Sequence, residues 1–299
     1  MPYSRTECFG RYIIEVPVTA EIIGYGNKYI SSEITLKKLT IPEFNEAIKK
    51  RQNELNTPQE KDDQKIKKIE FADSKTKRLL MSYANVFGGD NYEIDTFNYV
   101  APNFAFVTQA KAMSGNYIDT ILKKYMDYMN SVKYRSGKSI SHSPGFCFQN
   151  GIVVNDGSKP QYELVTLAFE LKDHPDVHIV VESEVLFSHT DSLLERTGKA
   201  GLLSLFDGVT TVRKGARSVN GMAGEEVLSR YTSDEGGKAH KFRWETMGAL
   251  SDPLKPDIYV DFQTGFKPGG GSVNSSLSNK DAIALFDQIV NSVRIRPTN

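Results

Sequence analysis

The chain has 299 residues, enough for two domains of ordinary size, and its 39% hydrophobic, 25% charged composition excludes both a disordered and a collagen-like polypeptide. Lysines plus arginines number 37, as do aspartates plus glutamates, and that zero net charge argues against nucleic acid as the main partner, since phosphate binding needs a basic surplus. No apolar run approaches the ~20 residues of a membrane span.

The opening Met1-Pro2-Tyr3-Ser4-Arg5 leads straight into a polar segment without a signal-peptide pattern. Two readings follow: a cytoplasmic protein, or the mature form of an exported one with an added start methionine. Residues 11–17 form a predicted strand stopped by Pro17. Residues 21–26 and 29–36 alternate loosely and carry β-branched side chains, so two more strands are expected. Thr40-Ile41-Pro42-Glu43 opens a helix, with Thr40 or Ile41 as cap and Pro42 and Glu43 in the first turn. Phe44, Ala47, Ile48 and Leu55 fall on one face of it. Residues 53–64 are polar and charged and read as an exposed loop. A strand meander follows over 66–71, 77–84, 91–99 and 104–110, with Gly88-Gly89-Asp90 at one hairpin turn. A helix over 117–129 closes this half.

The second half repeats the plan. Strands are expected over 148–155, 162–171 and 177–182. Thr190-Asp191-Ser192 caps a helix over 193–206 that Gly198 and Gly201 weaken or break. A meander occupies 210–214, 217–223, 225–232 and 238–247, then a strand 256–262 and a glycine-rich loop 263–272. Strand runs interrupted by one or two helices per domain make the fold α+β, with mainly antiparallel sheets, rather than doubly wound α/β.

The two halves also echo each other in sequence. A helical stretch at 121–129 runs into Asn130-Ser131-Val132-Lys133-Tyr134-Arg135, and another at 281–290 runs into Asn291-Ser292-Val293-Arg294-Ile295-Arg296. Cys8-Phe9 and Cys147-Phe148 each open an apolar strand. A unit that begins with Cys-Phe and ends with a helix, Asn-Ser-Val and a basic strand thus occurs twice. The expected division is 1–138 and 139–299, joined near 136–144. Two cysteines are too few for a disulfide scaffold and too isolated for a zinc site. Cys8 and Cys147 are therefore either bridged, which requires an oxidising compartment, or two buried free thiols.

Catalytic motifs are not evident, and no cofactor or metal is expected. Neither a Gly-x-Ser-x-Gly elbow nor a phosphate-binding Gly-x-x-x-x-Gly-Lys-Ser/Thr loop is present. In Gly265-Phe266-Lys267-Pro268-Gly269-Gly270-Gly271-Ser272 the lysine precedes the glycines and no helix begins, so a hairpin tip is expected. Asp173-His174-Pro175-Asp176 reads as a turn before a strand at Val177, because Pro175 prevents a helical face carrying His174 and His178. Glu225 and Glu226 point to opposite faces of a strand, one outward and one paired with Arg213 or Arg217. Phe242 and Trp244 share a face and read as core anchors.

Four stretches resemble the immunity proteins that bacteria carry against type VI secretion phospholipase effectors of the fourth lipase family. They are Cys8-Phe9-Gly10-Arg11-Tyr12 leading to Val16-Pro17, Gly145-Phe146-Cys147, residues 213–226, and Phe242-Arg243-Trp244-Glu245 with 256–265. The most specific is Arg213-x-Gly215-x-Arg217-x-x-x-Gly221-x-x-Gly224-Glu225-Glu226. The resemblance implies a non-enzymatic protein of two similar α+β domains set as a clamp. It would act in the periplasm as one copy per cognate phospholipase effector, gripping it and blocking its catalytic cleft. Segment 213–226 would be structural, with glycines at bends and arginines paired with the glutamates. Loops on a rigid scaffold are the expected probes. Exposure and composition single out Phe266 and Lys267 in 263–272, Asp234 and Glu235 in 232–238, and Asp62 and Asp63 in 53–64. Alanine at Phe266 and Lys267 is expected to weaken binding without changing the melting temperature. The competing readings are a hydrolase of unrecognised type and an envelope interaction module with another partner.

Overall fold

A computed structural model of the chain describes residues 3–56, 67–86, 89–114, 117–137, 139–201 and 208–298. It resolves into two compact, discontinuous units, one of Met1–Gly26, Lys138–Gln149 and Asp156–Asn299, the other of Asn27–Gly137 and Asn150–Asn155. The first strands, Met1–Gly26, thus fold with the second half of the chain.

In the first unit, β1 (Ser4–Phe9) and β2 (Tyr12–Pro17) form an antiparallel hairpin in register from Ser4↔Pro17 to Phe9↔Tyr12. Gly10 turns it with φ 56°, a conformation an L side chain rarely adopts. The short β10 (Gly145–Phe148) meets this turn, Gly10 and Cys147 exchanging backbone hydrogen bonds of 2.7 Å. Cys8 and Cys147 are joined as a disulfide with Cα atoms 6.0 Å apart.

The large sheet of this unit is built from β12 (Glu163–Leu171), β13 (His174–Glu184), β14 (Thr210–Ala216), β15 (Gly224–Thr232), β16 (Lys238–Thr246) and β17 (Asp257–Gln263). Their order is β14-β15-β16-β17-β13-β12, all antiparallel, and β3 (Ala20–Tyr29) follows β12. The strand expected from Val177 starts earlier, at His174, and the turn sits at Lys172-Asp173. Alternation is strict along β12, where Val165, Leu167, Phe169 and Leu171 are buried between half-exposed residues. That inner face is covered by α4 (Asn279–Ser292). Phe286 of α4 packs edge-on against Phe242 and Phe262, with centroids 5.5 and 6.1 Å away. Each such buried aromatic contributes about 2–3 kcal/mol of transfer free energy. Phe242 and Trp244 are fully buried on this face. Helix α3 (Leu193–Gly201) lies beside the sheet and is capped by Ser192, whose Oγ accepts from Glu195 N at 3.3 Å.

In the second unit, β3 ends by pairing with β4 (Ser32–Lys38) through a turn in which Ile30 and Ser31 both have positive φ. No glycine or asparagine marks this turn. The expected strands over 21–26 and 29–36 are in fact divided here. The sheet of this unit runs β4-β8-β7-β6-β5, with β5 (Lys67–Asp73), β6 (Lys77–Val86), β7 (Gly89–Ala101) and β8 (Phe104–Ser114). Helix α1 (Ile41–Asn56) buries Phe44, Ile48 and Leu55 against Leu80, Phe97 and Ala105. Thr40 is its cap: Glu43 N donates to Thr40 Oγ1 at 3.4 Å, and Thr40 N to Glu43 Oε2 at 2.7 Å. Arg51 of α1 reaches across to Asp95 and Glu93 of β7, both at 2.8 Å.

The repeated termini are used crosswise. After α2 (Ile118–Ser131), β9 (Val132–Tyr134) pairs with β11 (Gly151–Val154) in the second unit. After α4, β18 (Arg294–Ile295) pairs with β2 in the first. Equivalent contacts recur at equivalent positions: Arg135 N donates to Asn150 O, three residues past Cys147, and Arg296 N to Arg11 O, three past Cys8, both at 2.9 Å. Positive φ at Asn150 splits the continuous strand expected over 148–155 into β10 and β11. Among the described residues no helix is long and apolar enough to cross a membrane.

Candidate interaction face

A strand sends alternate side chains to opposite faces, so a sheet covered on one side leaves its other set exposed. In the first unit this second set is charged. β13 contributes Glu182 and Glu184, β17 contributes Asp257, Tyr259 and Asp261, and β16 contributes Lys241, Arg243 and Glu245. With α3 and the chain around Met247 and Leu250 at its border, the face forms an open depression of about 990 Å³.

Arg243 sits at its centre. Its guanidinium lies 3.9 Å from the Tyr259 ring centroid and pairs with Glu245 and Asp261, both at 2.7 Å. Arg196 of α3 also donates to Glu245 at 2.7 Å. Burial raises the pKa of Asp261 despite the nearby Arg243 charge. Glu182 is raised by burial too, although Thr166 donates to it at 2.7 Å. Asp257 is raised by burial and then by repulsion from Glu245 and Glu184, against the hydrogen bond from Gly248 N at 2.7 Å. Glu184 and Asp257 stand directly opposite each other in the β13–β17 ladder. Glu184 accepts from Tyr162 Oη at 2.8 Å. Among the described residues Glu182, Glu184 and Asp257 form no ion pair. What this face offers is charge, hydrogen bonding and shape. Sequence reading passed over it, though the signal was present as a period-two charge pattern in three consecutive partner strands.

The loops picked from sequence meet at one end of the same unit. Asp234 and Glu235, at the β15–β16 turn, are tied to the glycine-rich loop: Ser272 N donates to Asp234 Oδ2 at 2.6 Å and Asn274 N to Glu235 Oε2 at 2.9 Å. Asp176 anchors the loop base, accepting from Gly265 N and Ser276 N at 2.9 and 3.0 Å. Burial acts to raise its pKa, but the hydrogen bond from the Ser276 side chain and these backbone hydrogen bonds hold it below its ordinary value. Gly265 is required there, because a Cβ would lie 2.4 Å from Val273 O. Phe266 is not a free anchor. Its ring stacks on His178 with centroids 4.8 Å apart, leaving it half-buried, whereas Lys267 is exposed. Alanine at Phe266 would remove this ring contact, whereas alanine at Lys267 would remove no packing. Asp62 and Asp63 lie outside the described residues.

Segment 213–226 holds the sheet to α4. Arg213 and Arg217 donate to Glu226 at 3.0 and 2.8 Å and to Asp287 of α4 at 3.0 and 2.7 Å. Glu225, on the other side of β15, accepts from Leu194 N at 2.8 Å and caps α3. Gly224 leaves room for Trp244, whose Nε1 donates to Arg217 O at 3.0 Å; a Cβ would fall 2.6 Å from Glu245 O.

The model of the Tle cognate immunity protein 4 N-terminal domain matches residues 5–139, and that of the Tle cognate immunity protein 4 C-terminal domain matches 139–298. Among solved structures, the apo form of immunity protein TplEi of the type VI secretion system from Pseudomonas aeruginosa is similar at 25% identity and TM-score 0.84, covering 99% of this chain and 98% of that one. A chain of the Tle4–Tli4 complex is similar at 25% identity and TM-score 0.85, covering 100% and 99%. TplEi from P. aeruginosa bound to the "L" peptide shares the fold at 24% identity, TM-score 0.79 and 99% coverage of both chains. No curated protein sequence matches.

Proposed function

The chain belongs to the Tle cognate immunity protein 4 family, and from that premise we propose that it binds a cognate type VI secretion phospholipase effector and inhibits it by covering the catalytic cleft. The observation that carries this reading is the end-to-end match to both domains of the family, with the fold of a chain from an effector–immunity complex. Such inhibition needs no reacting group. It needs a complementary surface held in a fixed shape, burying on the order of 1,600 Å² or more. The first unit is built to hold one: a disulfide, a buried ion pair and the four-membered charge cluster around Glu226 and Asp287 all fix the sheet that carries the open face.

One copy of the chain meets one effector and catalyses nothing itself. The Cys8–Cys147 disulfide supports a periplasmic setting, because such bonds persist in oxidising compartments. The test is co-expression with a type VI secretion lipase effector from the same genome. A 1:1 complex by light scattering and loss of phospholipase activity are expected. Failure to form a complex overturns the reading, as does lipid hydrolysis by the purified chain that one polar substitution abolishes.

A further inference from the structure

We infer that the open face of the β13–β17–β16 sheet is the docking site for a cationic, apolar-flanked segment of the effector, whose lysine or arginine enters between Glu184 and Asp257. The inference rests on the function proposed above and adds the surface and its chemistry.

Three observations carry it. First, Glu184 and Asp257 occupy directly opposed positions on adjacent strands. Like charges so placed destabilise a sheet, and no cation of the described residues pairs with either. Second, the depression is unbalanced: its lining holds six carboxylates against three lysines and arginines. Arg196 and Arg243 are already engaged by Glu245 and Asp261. An incoming cation would meet carboxylates that the chain itself leaves unneutralised. Third, the rim is apolar, with Val209, Met247 and Leu250 exposed around the charged floor. Burial of flanking apolar residues there would desolvate the ion pair and strengthen it. A depression of about 990 Å³ accommodates several side chains, not one. A bound metal does not explain the acidity, since among the described residues no group of three or more His, Cys, Asp or Glu could hold one.

The test is calorimetric titration of the effector with the full chain and with the E184Q/D257N variant, at low and at high salt. The variant should bind on the order of tenfold more weakly at low salt, with the gap narrowing as salt screens the carboxylates of the floor. Its melting temperature should not fall, because a repulsive pair has been removed. D257K should weaken binding further. Unchanged affinity at both salt levels, with a complex of normal stoichiometry, overturns this docking site and leaves the proposed function standing. If the double variant does not fold, E182Q with the same readout decides. A lack of any complex with the unsubstituted chain removes both proposals.

Discussion

Arg11 and Glu163, 152 positions apart, form a two-pronged ion pair in the interior of the first unit, Nη2 to Oε1 at 2.8 Å and Nε to Oε2 at 3.2 Å. Both side chains are almost fully buried. Removing one partner leaves the other charge without its counterion in a low-dielectric site, which costs about 3–5 kcal/mol. Arg11→Met or Glu163→Leu alone should therefore unfold at much lower urea. The double substitution should recover most of the loss, because burying two apolar groups in place of a paired charge is often neutral. A double variant no more stable than either single one would show that the pair does something its geometry does not reveal.

The disulfide makes a second expectation. Cys8 and Cys147 close a loop with a sequence separation of 139, and the chain-entropy argument gives up to about 5 kcal/mol for such a crosslink. Reduction, or Cys8→Ser with Cys147→Ser, should lower the urea midpoint sharply. Intact mass with and without reductant, after alkylation, reports the bond directly. Insensitivity of the midpoint to reductant would remove the crosslink from the stability of the first unit.

Much of this fold was legible because its signals are local. Alternation marked β12 and β17, Thr40-Ile41-Pro42-Glu43 marked the start of α1, and the paired Asn-Ser-Val segments marked two equivalent helix ends. What sequence could not supply is long-range. That β18 joins β2 while β9 joins β11 depends on which partner buries each strand, and the short strands themselves are identical in kind. The turn at Ile30-Ser31 was missed because it has positive φ without the residues that usually permit it. The charged open face was missed for a related reason. No single carboxylate signals such a face, and only the register puts Glu184 opposite Asp257.

The Asp287 cluster predicts a pH dependence. Burial acts to raise the Asp287 pKa, but the hydrogen bond from Arg213 and the charges of Arg217 and Arg213 outweigh it and hold the carboxyl below its ordinary value. A group held lower in the folded than in the unfolded state adds stability above its unfolded pKa of about 3.9, and that stability is lost as pH falls through the folded value. Asp287→Asn should cost about 2 kcal/mol at neutral pH, from the loss of charge-assisted hydrogen bonds. Only as pH falls through the folded value, below the ordinary carboxylate range, should the variant approach the unsubstituted chain, since both then lack the charge. Urea midpoints measured across that range check the sign; parallel curves down to strong acid would exclude Asp287 as a contributor.

Phe266 and Lys267 are neighbours with different expected costs. Phe266 stacks on His178 and closes the small bridge to Ser272, while Lys267 is exposed at the tip. Phe266→Ala should destabilise the chain by about 1–2 kcal/mol through lost burial and ring stacking. Any loss of effector binding by that variant then mixes contact with loop disorder. Lys267→Ala removes no packing and should leave the melting temperature unchanged, so it reports contact alone. If this tip touches the effector, Lys267→Ala should slow association, most visibly at low salt, as a rim charge does. An unchanged association rate with a normal complex would place the tip outside the interface, and a weakened Phe266→Ala complex would then be a consequence of stability.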